Sequence, residues 1–126
     1  CRRQRQMCIR DRPILKQHGF QVLIAEEHDV VEQIEIFSQL THLIAPHGAG
    51  LVNGMFAKPG ARILEIRPVI SSGDYCFDDL FQCGEFQHEV LVPKKRGRFL
   101  LDPELLDDTL RRWEQTETSL RRFACV

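Results

Sequence analysis

At 126 residues, 43% hydrophobic and 28% charged, the chain has the size and composition of one globular domain, which argues against disorder or collagen-like repeats, and no apolar run approaches the roughly 20 residues of a membrane-spanning helix. The formal charge of -1 is uneven: Arg2, Arg3, Arg5, Arg10 and Arg12 face only Asp11 in the opening segment, and the rest carries 12 basic and 17 acidic residues, a mildly acidic body unsuited to a dedicated nucleic-acid binder. Cys1, Cys8, Cys76, Cys83 and Cys125 are odd in number and form no Cys-x-x-Cys pair, so neither a disulfide framework nor a zinc site is expected.

The opening CRRQRQMCIRDR has neither hydrophobic periodicity nor turn chemistry, and MCIRDR resembles a translated sequencing adapter. Residues 1–12 are therefore expected to be a non-native or disordered leader before one folded domain over residues 13–126. Ile14 to His18 reads as a helix end capped by Gly19, followed by a buried strand over Phe20 to Ala25. Asp29 and Glu32 have capping-box spacing, and Val30, Ile34, Phe37 and Leu40 predict an amphipathic helix of about three turns.

Thr41 to Ala45 is a second strand, and HGAGLVNGMF runs through a glycine turn into a short helix ended by Pro59 and Gly60. Arg62 to Ile66 is a third strand. Tyr75 to Cys83 fits a helix with Phe77, Leu80 and Phe81 inward and with Cys76 and Cys83 as buried small apolar residues. Phe86 to Val92 is a fourth strand, and Asp102 with Pro103 starts a last helix whose inner face is Leu106, Leu110 and Trp113. Apolar strands alternating with helices predict an α/β fold, a Rossmann-like parallel sheet with helices on both faces.

The chemistry concentrates in Ala45 to Pro68, APHGAGLVNGMFAKPGARILEIRP. A glycine-rich turn stands between the end of a strand and the start of a helix, where open parallel sheets bind ligands. Gly48 and Gly50 permit close backbone approach, and the amides with the helix dipole favour an anion such as a diphosphate. His47 could donate to a diphosphate oxygen or act as an acid-base group. Glu65, near the end of the next strand, could accept from both hydroxyls of a ribose. Asn53 offers an amide to the nucleotide or to the turn itself. Tyr75 could stack on a base or pack in the core, and Arg67 could approach the diphosphate or stay at the surface.

His47-Gly48-Ala49-Gly50-Leu51, followed by Asn53, Phe56, Pro59-Gly60 and Leu64-Glu65-Ile66, resembles the signature of family 61 glycosyltransferases. That group includes bacterial capsular polysaccharide-type, plant xylan and animal secretory-pathway O-GlcNAc transferases. Val31-Glu32-Gln33 and the strand before Pro46 are similar to the approach to this motif, and the likeness spans residues 13 to 113.

The resemblance implies the C-terminal, nucleotide-sugar-binding half of a GT-B enzyme. It implies inverting transfer of a sugar, from a UDP-sugar by expectation, to a hydroxyl on a glycan, polysaccharide or glycoprotein. His47, Gly48, Ala49, Gly50, Leu51, Asn53 and Glu65 are the implied donor-binding residues, with His47 the one candidate for a catalytic role. The acceptor domain and the base are then expected upstream of residue 13, and the fragment alone is expected to be inactive. No tightly bound cofactor is implied. No Asp-x-Asp motif is present and a metal is not expected, although Asp74, Asp78 and Asp79 lie close together. Nucleic acid is not an expected partner, and the family's range leaves the compartment open between bacterial cytoplasm and eukaryotic secretory lumen.

Two other readings fit parts of the motif. Gly48-Ala49-Gly50 with Glu65 imitates part of a dinucleotide fingerprint, but Asn53 stands where the third glycine belongs and Pro59-Gly60 cut the helix short. A non-catalytic nucleotide-binding module would carry the same turn.

Overall fold

Four helices and five strands can be traced in the computed structural model, which describes residues 11–67, 76–93, 101–115 and 122–125. Residues 11–17 form α1, which ends with the Gly19 N–H bonded to the Lys16 carbonyl at 3.0 Å and the Phe20 N–H to the Leu15 carbonyl at 2.9 Å. This is a Schellman stop, with Gly19 at φ 76 and with Leu15 and Phe20 both in the core, as that motif requires. β1 (Gln21–Leu23) follows, then a short 3-10 turn at Ala25–Glu27, then α2 (Val30–Phe37). At the start of α2 the Asp29 and Glu32 side chains bond each other's backbone N–H, the expected capping box.

β2 (His42–Pro46) leads into a 3-10 helix at Ala49–Phe56, and β3 (Arg62–Ile66) into α3 (Cys76–Cys83) and β4 (Gln87–Leu91). α4 (Pro103–Glu114) is capped by Asp102, whose carboxylate accepts from the Glu104 N–H, and β5 (Arg122–Cys125) closes the set. All strand pairs are parallel, in the order β1-β5-β2-β3-β4. The α/β, Rossmann-like expectation is met.

Connection handedness explains which helix covers which face. From β1 to β2, β3 and β4 the chain always steps the same way across the sheet, so right-handed crossovers put α2, the 3-10 helix and α3 on one side. Phe37, Leu51, Phe77 and Phe81 pack there on Leu43, Ala45 and Ile63. The return from β4 to β5 reverses direction and carries α4 to the other side, where Leu106, Leu110 and Trp113 meet Ile44, Leu64, Ile66 and Ala124. Alternate residues of β2 and β3 thus serve opposite cores, which is why both strands read as continuous apolar runs.

Four features depart from the sequence reading. α2 is eight residues long, and of its supposed inward stripe Phe37 and, just beyond it, Leu40 are buried, while Val30 is 71% and Ile34 38% exposed. The helix meets the domain along the side that bears Gln33, Ile36 and Phe37. Cys76 and Cys83 are exposed, because Phe77 and Phe81 define the buried face of α3 and the cysteines flank it. The helix after the glycine turn is 3-10 in type. β5 was not anticipated, since it inserts between β1 and β2, which are far from it in sequence. No helix among the described residues is long and apolar enough to cross a membrane.

Candidate functional site

β2 and β3 pair with Ala45 opposite Glu65 and Pro46 opposite Ile66, so both strands end at one level of the sheet's carboxyl rim. The ladder continues one residue further: the His47 N–H donates to the Ile66 carbonyl at 2.8 Å, and the Arg67 N–H to that of Leu91 at 2.9 Å. Leu64 and Ile66 enter the α4-side core, so alternation turns Glu65 towards α3. There its carboxylate is fully buried.

Both oxygens of Glu65 are filled. Oε1 accepts from His47 Nδ1 at 2.5 Å and from Arg67 Nε at 2.9 Å; Oε2 accepts from Arg67 Nη2 and His88 Nε2, each at 2.9 Å. Arg67 is bidentate a second time, to Asp78 of α3 at 2.9 and 3.2 Å, and His88 Nδ1 stands 3.4 Å from the same Asp78. Burial pushes the Glu65 carboxyl up, but hydrogen bonds from His88, Arg67 and His47 and the charge of Arg67 outweigh it and hold the group at about 2. Its hydrogen bond to Glu65 raises the Arg67 guanidinium above its ordinary value, against the cost of burial.

Nδ1 of His47 is committed to Glu65, and the ring meets Phe77 edge-on with centroids 5.0 Å apart. Its side chain is 16% exposed, so the remaining polar atom, Nε2, belongs to the outward part of the site. A carboxylate on Nδ1 fixes that nitrogen as the protonated one; Nε2 then accepts in the neutral ring and donates in the charged ring.

The glycine turn adjoins this imidazole. Gly48 has φ 154 and ψ -177, a region in practice reserved for glycine. Gly50 has no such need, and a Cβ built there would meet nothing within 4 Å, so its bare backbone leaves open surface. The Leu51 N–H donates to the Gly48 carbonyl at 3.0 Å, which places the Gly48, Ala49 and Gly50 amides ahead of the first internal bond of the helix.

Of the expected site residues, His47, Gly48, Ala49, Gly50, Glu65 and Arg67 share this rim. Leu51 turns inward, its side chain fully buried. Asn53 donates to Gln33 Oε1 at 2.9 Å and ties the 3-10 helix to α2. Glu65, expected to grip a ribose directly, has both oxygens enclosed, and a direct contact would require one donor to yield. Tyr75 and Asp74 lie outside the described residues.

His88 was missed, although an ionisable residue within a strand marks a buried polar partner. The roles of Arg67 and Asp78 were also underread. Glu65, Asp78 and His88 present ligand atoms within 4.8 Å of one another, a spacing that could hold a metal ion. The Arg67 guanidinium already bridges both carboxylates, so the chain itself supplies positive charge at this place.

No curated protein and no solved structure matches the chain. The family model described as Glycosyltransferase 61 matches residues 12–64, a stretch that runs from α1 through the glycine turn into the strand that bears Glu65. By that match, residues 12–64 of the chain are similar to glycosyltransferase family 61.

Proposed function

We propose that this domain binds the nucleotide-sugar donor, a UDP-sugar, as the C-terminal half of a GT-B enzyme that transfers the sugar with inversion to a hydroxyl of a glycan or protein-linked acceptor. One observation carries the reading: a partly exposed imidazole, anchored by a buried carboxylate, stands beside a glycine turn at the carboxyl rim of a parallel sheet. Amides that precede the first internal bond of a helix suit a diphosphate.

In the transfer, the acceptor oxygen bonds to the anomeric carbon as the bond from that carbon to the diphosphate breaks, and the acceptor's proton passes to a base. The turn amides and the charged form of His47, donating through Nε2, stabilise the negative charge growing on the leaving diphosphate. A base supplied by an acceptor-binding half is part of the same proposal. Glu65 acts on the donor through His47, which relocates the ribose role first expected of it.

Calorimetric titration with UDP, pyrophosphate and NAD tests the assignment. UDP is expected to bind, and His47→Ala to weaken it about fivefold or more, the loss of one hydrogen bond worth about 1 kcal/mol. Unchanged affinity in that variant removes His47 from the site. Preference for NAD would support a dinucleotide domain, and no binding of any of the three ligands would overturn the donor reading. Glu65→Gln is expected to weaken UDP and pyrophosphate alike, whereas a loss confined to UDP would restore the direct ribose contact.

A further inference from the structure

We infer that His88, Arg67 and Asp78 are positioning residues, which lock the Glu65 carboxylate so that it holds His47 with Nε2 presented at the glycine turn. The inference rests on the donor-site reading above and deepens it. A carboxylate bound to one imidazole alone can rotate about its own axis and release or misdirect that ring. Here the Arg67 fork places one donor on each oxygen, which fixes the carboxylate plane, and His88 adds a second donor to Oε2 from the neighbouring strand.

Asp78 then holds Arg67 from the far side with two bonds of its own. Glu65 is therefore gripped from the end of β3, from β4 and, through Arg67, from α3. His47 is the one member of the set that also borders the turn. Purely as a stabilising element such a network would be a poor choice, because buried ion pairs are often matched or bettered by apolar residues of similar volume. Its geometry makes sense as a mount for the imidazole.

Nitrogen-15 histidine labelling of the full chain, read by long-range proton–nitrogen correlation, reports the His47 ring directly and needs no ligand. The groups that face Glu65 are His47, Arg67 and His88, with Asp78 behind them. Wild type is expected to show the Nδ1-protonated form of His47. In His88→Ala this preference should become mixed, since Glu65 has lost a donor that fixes its carboxylate plane.

His88→Gln, which keeps an N–H for Oε2, should restore the wild-type pattern. Asp78→Ala, which leaves every bond to Glu65 in place and frees the far sides of Arg67 and His88, should shift the signals in the same direction by less. A folded His88→Ala with wild-type His47 signals overturns the inference; if that variant does not fold, wild-type signals in Asp78→Ala do so. A UDP titration separates the two readings. Tethered His47 in a chain that ignores UDP defeats the donor assignment alone, while UDP binding with His47 indifferent to both variants defeats the positioning assignment alone.

Discussion

Glu65 Oε1 and His47 Nδ1 are 2.5 Å apart, although the residues are separated by 18 positions in the chain. In-register pairing of β2 with β3 produces the contact: Glu65 lies opposite Ala45, so the residue that leaves β2 two positions later passes beside its carboxylate. Four donor contacts converge on one buried charge, and this convergence governs how the domain responds to acid and to substitution.

Acid should weaken the fold through Glu65. Its folded value of about 2 lies below the ordinary 4.5, so the stabilisation is complete above about pH 4.5 and is lost as pH falls towards 2. The full size is on the order of 3 kcal/mol. Urea midpoints measured near neutrality and near pH 3 should fall steeply for wild type. Glu65→Gln should start lower, with its buried donors poorly matched, and fall less. Equal acid losses in the two proteins would show that Glu65 is not the responsible group.

Gly48 and Gly50 should respond oppositely to alanine. At Gly48 the backbone conformation is closed to a side chain, and Gly48→Ala is expected to cost about 1–3 kcal/mol in thermal or chemical unfolding. At Gly50 the space is open, so Gly50→Ala should leave stability unchanged or slightly improved while weakening UDP, because the new methyl group would occupy the surface offered to the diphosphate. Full UDP affinity in folded Gly50→Ala would place the ligand elsewhere.

His18 joins α1 to α4. Its ring is buried and sits 2.6 Å from Asp107 and 2.8 Å from Glu114, and its hydrogen bond is the leading cause that holds Asp107 below its usual range. His18→Ala should lower the melting temperature and expose α1 to early proteolysis, at a cost of about 1–3 kcal/mol. The Asp107 contribution is present above pH 3.8 and lost below it, so the variant should also be less sensitive to strong acid. An unchanged melting temperature would show that the pair does not secure α1.

Gly54 is constrained by its neighbours. A Cβ there would lie 3.1 Å from Leu43 Cδ2 and 3.2 Å from the Phe81 ring, and both side chains are fully buried. Gly54→Ala should therefore cost about 1–3 kcal/mol despite alanine's better helix propensity. Calorimetric unfolding measures this, and a stabilised variant would mean that the α3 packing yields freely.

Much of the domain could be read from local pattern. The Gly19 stop, the Asp29–Glu32 box, the Asp102–Pro103 start and the strand Arg62–Ile66 each depend on residues a few positions apart. The glycine turn was also legible, down to its place at a strand end. What local pattern misjudged was burial: the periodic residues Val30 and Ile34 are exposed because nothing among the described elements covers that side of α2. Periodicity states which residues share a face, and only packing determines whether that face is buried.

The amino-acid order by itself thus determined the helix ends, the apolar strands and the turn suited to an anion, since those follow from dihedral preferences and hydrogen bonds that span a turn or less. The tertiary structure decided that β5 enters between β1 and β2, that α4 lies on the opposite face, and that His47, Arg67, Asp78 and His88 surround Glu65. The reason is geometric. Side chains borne on β2, β3, α3 and β4 become neighbours through strand register and crossover handedness, and no short window of sequence contains either one.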